Sequence, residues 1–124
     1  MGGRGSGTQG KTGVQLYQTV GYIAGVKVLE GKPGSGKHNL PEESFTGRAY
    51  IRLDRNGNFY QYRSYGKDHY LRFEIGYHSE RSIDPSGKPV LHIHYYDKNF
   101  NRTKGRLLTL KEFKRYKKYF KGVM

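Results

Sequence analysis

Two histidines, His92 and His94, lie two residues apart in Leu91-His92-Ile93-His94-Tyr95. On a β-strand that spacing points both imidazoles to the same side. Glu74 and His78 lie four apart in Tyr70-Leu71-Arg72-Phe73-Glu74-Ile75-Gly76-Tyr77-His78, again on one side and together with Arg72. These are the residue types that cleave a phosphodiester without metal. A base must activate the ribose 2′-hydroxyl, an acid must protonate the leaving oxygen, and a cation must stabilise the phosphorane. Imidazole titrates near neutrality and serves as either acid or base. The same types also make an ordinary polar sheet face. Paired histidines can instead chelate zinc or iron, with Glu74 or His78 as a third ligand. There is no cysteine and no distinct second carboxylate to complete such a set, so the expectation is no metal and no cofactor. Activity that appears only with added divalent metal would separate the two readings.

A second candidate is the run Gly31-Lys32-Pro33-Gly34-Ser35-Gly36-Lys37-His38. Its glycines and Lys37 have the spacing of a phosphate-cradling P-loop. His38 stands where the metal-binding Ser or Thr belongs, and Asn39-Leu40-Pro41 is a poor start for the helix that should follow. Nucleotide hydrolysis is therefore set aside, while phosphate contact by Lys37 stays open. A third candidate is the C-terminal helix, where Lys111, Lys114, Arg115, Lys117, Lys118 and Lys121 crowd around one acid, Glu112. Six cations are more than solvation of a helix face needs, which favours phosphate contact.

The elements that must position these groups can be read from alternation. The hairpin 48–63 carries Asn56-Gly57 between Tyr50-Ile51-Arg52-Leu53-Asp54 and Phe59-Tyr60-Gln61-Tyr62-Arg63, the mark of a two-residue type I′ turn. Pairing across it sets Leu53 by Tyr60 and Ile51 by Tyr62, with Arg52 and Arg63 on the other face. Residues 70–78 and 90–97 alternate cleanly, with Leu71, Phe73, Ile75, Tyr77, Leu91, Ile93 and Tyr95 inward. If these strands are meander neighbours, one polar face collects Arg52, Arg63, Arg72, Glu74, His78, His92, His94 and Tyr96. A first strand is expected over roughly 20–29, a long Gly/Pro-rich loop over 30–47, and an irregular stretch over 98–108. Thr109-Leu110-Lys111-Glu112 reads as a capping box that starts a helix running to about Phe120, with Leu110, Phe113, Tyr116 and Phe120 on one face. The fold expected is α+β: a curved antiparallel sheet of about four to five strands with a packed C-terminal helix.

Composition bounds the rest. The 124 residues suit one domain, read as 14–124 behind a flexible Gly-rich basic arm at 1–13. Lys and Arg total 23 against 10 Asp and Glu, a formal charge of +13 that attracts polyanions. Twelve Tyr and six Phe must supply much of the core in the absence of Trp. No apolar run reaches the ~20 residues of a membrane span, and no secretory signal is evident, so the expected location is the cytoplasm.

Several of these stretches together resemble a family. Ser35-Gly36-Lys37-His38-Asn39-Leu40-Pro41-Glu42, Glu74-Ile75-Gly76-Tyr77-His78, and Leu91-His92-Ile93-His94-Tyr95 followed by Asn101-Arg102-Thr103 resemble a domain of phage and prophage proteins, found alone or fused to minor-head-type proteins. Met1-Gly2-Gly3-Arg4-Gly5-Ser6-Gly7 resembles the start or junction of such head proteins. These domains are similar to small toxin nucleases of the barnase, EndoU, colicin and RelE group. The resemblance implies metal-independent action on RNA and matches Lys37 and His38, Glu74 and His78, and His92 and His94 to the nuclease residues. The expected function is thus a phage-associated RNA-binding domain acting as a metal-independent endoribonuclease. Its catalytic candidates are His92, His94, Glu74, His78, Arg72 and His38. Its nucleic-acid contacts are Lys37, Arg52, Arg63, Lys111, Lys114, Arg115, Lys117, Lys118 and Lys121. The alternative is a non-catalytic nucleic-acid-binding phage protein, virion-associated or inhibiting a host defence complex. A phage head protein or an immunity protein is a further candidate partner, and no membrane is expected.

Overall fold

Alternating apolar residues at 49–53, 59–65, 71–79 and 89–95 build the centre of a single sheet, in a computed structural model that describes residues 16–37, 39–44 and 47–123. The arm at 1–13 and His38 lie outside the described residues. Seven strands follow one another in space as in sequence: β1 (Tyr17–Ile23), β2 (Val26–Gly31), β3 (Ala49–Leu53), β4 (Phe59–Tyr65), β5 (Leu71–Ser79), β6 (Pro89–Tyr95) and β7 (Arg106–Leu107). All neighbours are antiparallel except β2 and β3, which are parallel for two rungs, Lys27 to Tyr50 and Val28 to Ile51. A short helix, α1 (Leu110–Tyr116), is continued by a 3-10 turn, Lys117–Tyr119. No helix among the described residues is long and apolar enough to cross a membrane.

The expected antiparallel sheet of four to five strands with a packed helix is therefore corrected to a seven-stranded mixed sheet with one short helix described after it. The single strand read over 20–29 is really the end of β1, a turn and most of β2. Ala24 and Gly25 both have positive φ, 48° and 83°, which is the two-residue hairpin geometry that twists with its strands. The hairpin expected to use that turn does not. At residues 54–57 only Gly57 has positive φ, 82°, and the Asp54 carboxylate accepts from the amides of Asn56 and Asn58. The extra residue is taken up by a bulge, so Leu53 pairs with Phe59 and Tyr60 joins Gln61 on the polar face. The two residues of β7 carry too little alternation to be seen in a polar stretch.

The apolar face of the sheet gathers Val28, Ile51, Phe59, Tyr62, Ile75 and Ile93, and the C-terminal segment covers it. Phe120 is the buried anchor there, 4.8 Å from Phe59 between ring centroids, with Tyr119 stacked on Tyr62. Helix α1 buries no residue fully and ends at Tyr116, earlier than expected; Leu110, expected inward, is 68% exposed. The expected cap is present. The Thr109 hydroxyl accepts from the Glu112 amide and the Glu112 carboxylate accepts from the Thr109 amide. Arg106 also grips Glu112 with two bonds of 2.9 Å, and chiefly for that reason the carboxyl is pulled down to about 2.

Thr109→Ala should cost about 1 kcal/mol by removing the cap. Gly57→Val should cost at least about as much, because a β-branched residue resists positive φ. Chemical denaturation of both variants checks this placement; unchanged midpoints would contradict it.

Candidate functional site

The register brings most of the expected constellation together. Glu74 lies between Arg63 and His94, and Gly76 lies between Gln61 and His92. This polar face, however, is largely buried: Gln61, Arg63, Glu74, His92 and His94 are all shielded from solvent. Residues 39–44 of the long loop form a strap across it. The Leu40 amide donates to the Gln61 side chain at 3.2 Å, and Arg63 donates to the carbonyls of Leu40 and Pro41 at 2.8 and 3.3 Å. The Tyr65 hydroxyl also donates to Pro41. Ser44 is fixed at the strap's end by the backbone and the imidazole of His69, both at 2.9 Å. Leu40 packs with Leu29, Tyr50, Tyr65 and Leu71 beneath it, Leu71 having been turned to this face by a bulge in β5.

Glu74 is held inside this arrangement by Arg63 Nε at 2.8 Å. Burial by itself would raise the Glu74 carboxyl, but the Arg63 charge and hydrogen bonds from Gln61 and Arg63 outweigh it and hold the group below the usual carboxylate range. A buried carboxylate committed to an arginine is neither a ready acid nor a ready base. Glu74 and Arg63 are thereby reassigned from chemistry and RNA contact to anchoring the strap.

Beside the pair runs a row of rings that crosses four strands. Arg52 lies 4.7 Å over the Tyr60 ring, Tyr60 stacks on His78 at 5.2 Å, His78 meets His92 at 4.6 Å and His92 meets His94 at 5.3 Å. Gly76 makes the close packing possible, since a Cβ there would come 2.7 Å from His78 Nε2. Each of the three Nδ1 atoms faces a backbone carbonyl: Ser79 for His78, Val90 for His92 and Thr103 for His94. A carbonyl only accepts, so Nδ1 carries the proton, and a neutral ring then has its lone pair on Nε2. His92 Nε2 is buried without a hydrogen-bond partner among the described residues, and burial pushes the ring's pKa down. His94 Nε2 is 4.0 Å from the Glu80 carboxylate. Among the described residues no group of three or more His, Asp and Glu is arranged to hold a metal ion. Only His78 of the three is partly open to solvent.

A cleft of about 810 Å³ opens next to Arg52 and Tyr60. The Gly-rich residues 31–37 form one wall and the β3–β4 hairpin forms the other. Lys32, Lys37, Arg52 and Arg55 all line it, and no ion pair occupies any of them among the described residues. Two carboxylates, Glu30 and Asp54, are also in the lining.

The remaining candidates scatter. Arg72 is exposed, pairs with Asp68 at 3.5 Å, and lies roughly 13 Å along β5 from Gly76 at four residues' distance. His38 lies outside the described residues. Lys111, Lys114, Arg115, Lys117, Lys118 and Lys121 are all exposed, on the far side of the sheet from the histidines. Lys121 reaches toward the hairpin tip, its Nζ 3.9 Å from where a Gly57 Cβ would stand, so the helix surface continues into the cleft wall. Sequence reasoning missed Lys32, Arg55 and Tyr60 in this setting. Arg55 reads as a turn residue, and only the bulge brings Tyr60 to the polar face. The P-loop-like glycine spacing was the available signal for the cleft. Comparison of the chain with protein-family models, curated proteins and solved structures gives no match.

Glu74→Gln should cost about 3 kcal/mol, because it leaves the Arg63 charge buried without its partner. Acid should also weaken the fold in a defined order. His92 has a lowered pKa in the folded chain, so its contribution is complete above the unfolded value of about 6.5 and is lost as pH falls toward the folded value. Glu74, also lowered, adds a second loss below about 4.3. Urea denaturation at several pH values should show His92→Asn losing less stability than wild type between neutrality and pH 5; equal losses would contradict this.

Proposed function

We propose that this domain binds single-stranded nucleic acid, RNA in preference, along a basic path from helix α1 over the hairpin tip into the cleft. One observation carries the reading. Four cations against two carboxylates line one cleft, none of the four in an ion pair among the described residues, in a chain of net charge +13. Cations in excess of their carboxylates repel one another, and a polyanion relieves that repulsion while releasing its own counterions. The likeness to phage-borne toxin nucleases adds to the preference for RNA.

Metal-independent RNA cleavage is the second reading, and the His78 geometry favours it. Its Nδ1 is held by the Ser79 carbonyl, so a neutral His78 presents a basic Nε2 in a partly open position, with Arg52 beyond Tyr60. His78 would take the 2′-hydroxyl proton, and Arg52, across Tyr60 from it, would hold a neighbouring phosphate of the strand. Glu74, His92 and His94 are buried and Arg72 is distant, so this reading keeps one candidate base and lacks a defined acid.

For about five phosphate contacts on a single strand, affinity should fall roughly a hundredfold between 50 and 200 mM salt. Reversing Lys114, Lys117 and Lys118 to Glu should weaken binding about tenfold or more without unfolding, since all three are exposed. Fluorescence anisotropy with labelled RNA checks both, and salt-insensitive binding would contradict the proposal. Incubation with RNA in excess chelator tests cleavage separately. Wild type should cut and His78→Ala should slow cutting by about 10²–10⁴-fold; RNA left intact by wild type removes the second reading and leaves the first.

A further inference from the structure

Resting on the nucleic-acid reading, we infer that the cleft takes the terminal phosphate of a strand, a phosphomonoester, and thereby recognises an RNA end. The cleft has an unusual origin. Strands β2 and β3 run parallel, pair at Lys27–Tyr50 and Val28–Ile51, and then part. One continues into the Gly-rich residues 31–37, the other into the hairpin at 54–57. The parting leaves the cleft between them, and the two paired rungs close its inner end. Val28 of the last paired rung lines the cleft, so that end is bounded, and a strand terminus, which needs no exit beyond it, suits the bounded end.

Charge agrees with that geometry. Four cationic side chains and two carboxylates line the cleft, a net of +2. The Asp54 carboxylate is already engaged by two backbone amides, which further favours the cations. A terminal phosphate carries about −1.5 to −2 at neutral pH, whereas an internal phosphodiester carries −1. The fuller charge of the end group matches the cleft. Backbone groups add to it, because no ladder rung joins β2 to β3 beyond Val28 and Ile51. Alternate amides of the parted strands therefore face the space, where an anion can accept from them.

The test uses one ten-nucleotide RNA, labelled internally, in three forms: 5′-phosphate, 3′-phosphate, and hydroxyl at both ends. Anisotropy titrations with the whole protein, at about 150 mM salt to screen weak surface contacts, compare wild type with Arg52→Gln and Lys37→Gln. The expected result is that one phosphorylated form binds about tenfold or more tighter than the unphosphorylated form. That form identifies the end recognised. Each variant should bring the forms to within about twofold of each other while melting like wild type. Equal binding of all three forms by wild type overturns this inference and leaves RNA binding in place. A preference that survives in both variants also overturns it, by placing end recognition outside the cleft. Failure of wild type to bind any form overturns the nucleic-acid reading itself.

Discussion

The buried contact between Arg63 and Glu74 organises this molecule. Taking two charges out of water costs several kcal/mol per ion, and the loss is recovered only when geometry is good and the remaining donors and acceptors are used. Here they are used. Arg63 gives one nitrogen to Glu74 and another to the carbonyls of Leu40 and Pro41, and Gln61 bonds the Leu40 amide beside them. The pair thus fastens residues 39–44 across the sheet. The chain between β2 and β3 crosses this face, as the parallel pairing of two successive strands requires.

Two consequences for function follow from that one anchor. The polar face that would look catalytic in an open sheet is instead an interior, with Glu74, His92 and His94 closed off beneath the strap and neighbouring loops. The charge free to meet a polyanion is displaced to the margin, onto residues 31–37, the β3–β4 hairpin and the C-terminal helix. The ring row from Arg52 to His94 joins the two regions. Its exposed end borders the cleft, and in its buried stretch His92 Nε2 has no hydrogen-bond partner among the described residues.

What the sequence disclosed depended on range. The four central strands were legible because apolar residues alternate within them, as Phe73, Ile75 and Tyr77 do in β5 and Leu91, Ile93 and Tyr95 in β6. The capping box was legible because its two bonds are three residues apart. The β1–β2 hairpin was hidden because Ala24-Gly25 carries no Asn or Asp to announce a turn in a β-branched run. The strap was hidden for a different reason. Its partners Gln61, Arg63 and Tyr65 are more than 20 residues away in the chain, and nothing local marks Leu40 and Pro41 as a plug. Alternation placed Glu74, His92 and His94 on one face correctly but could not say that the face was covered. The glycine spacing at residues 31–36 hinted at phosphate, yet the opposing wall, with Arg55 and the bulged Tyr60, arises only in three dimensions.

On the proposed reading, nucleic acid engages the cleft margin and not the covered polar face. Backbone amide chemical shifts recorded while a short single-stranded RNA is added to isotopically labelled protein test it most directly. The largest changes should fall on residues 31–37, on Arg52 and Arg55, and on the last turn of helix α1. The amides of Leu40, Ser44, Glu74 and His94 should stay near their free positions. Changes centred on Glu74, His92 and His94, with residues 31–37 unmoved, would contradict it.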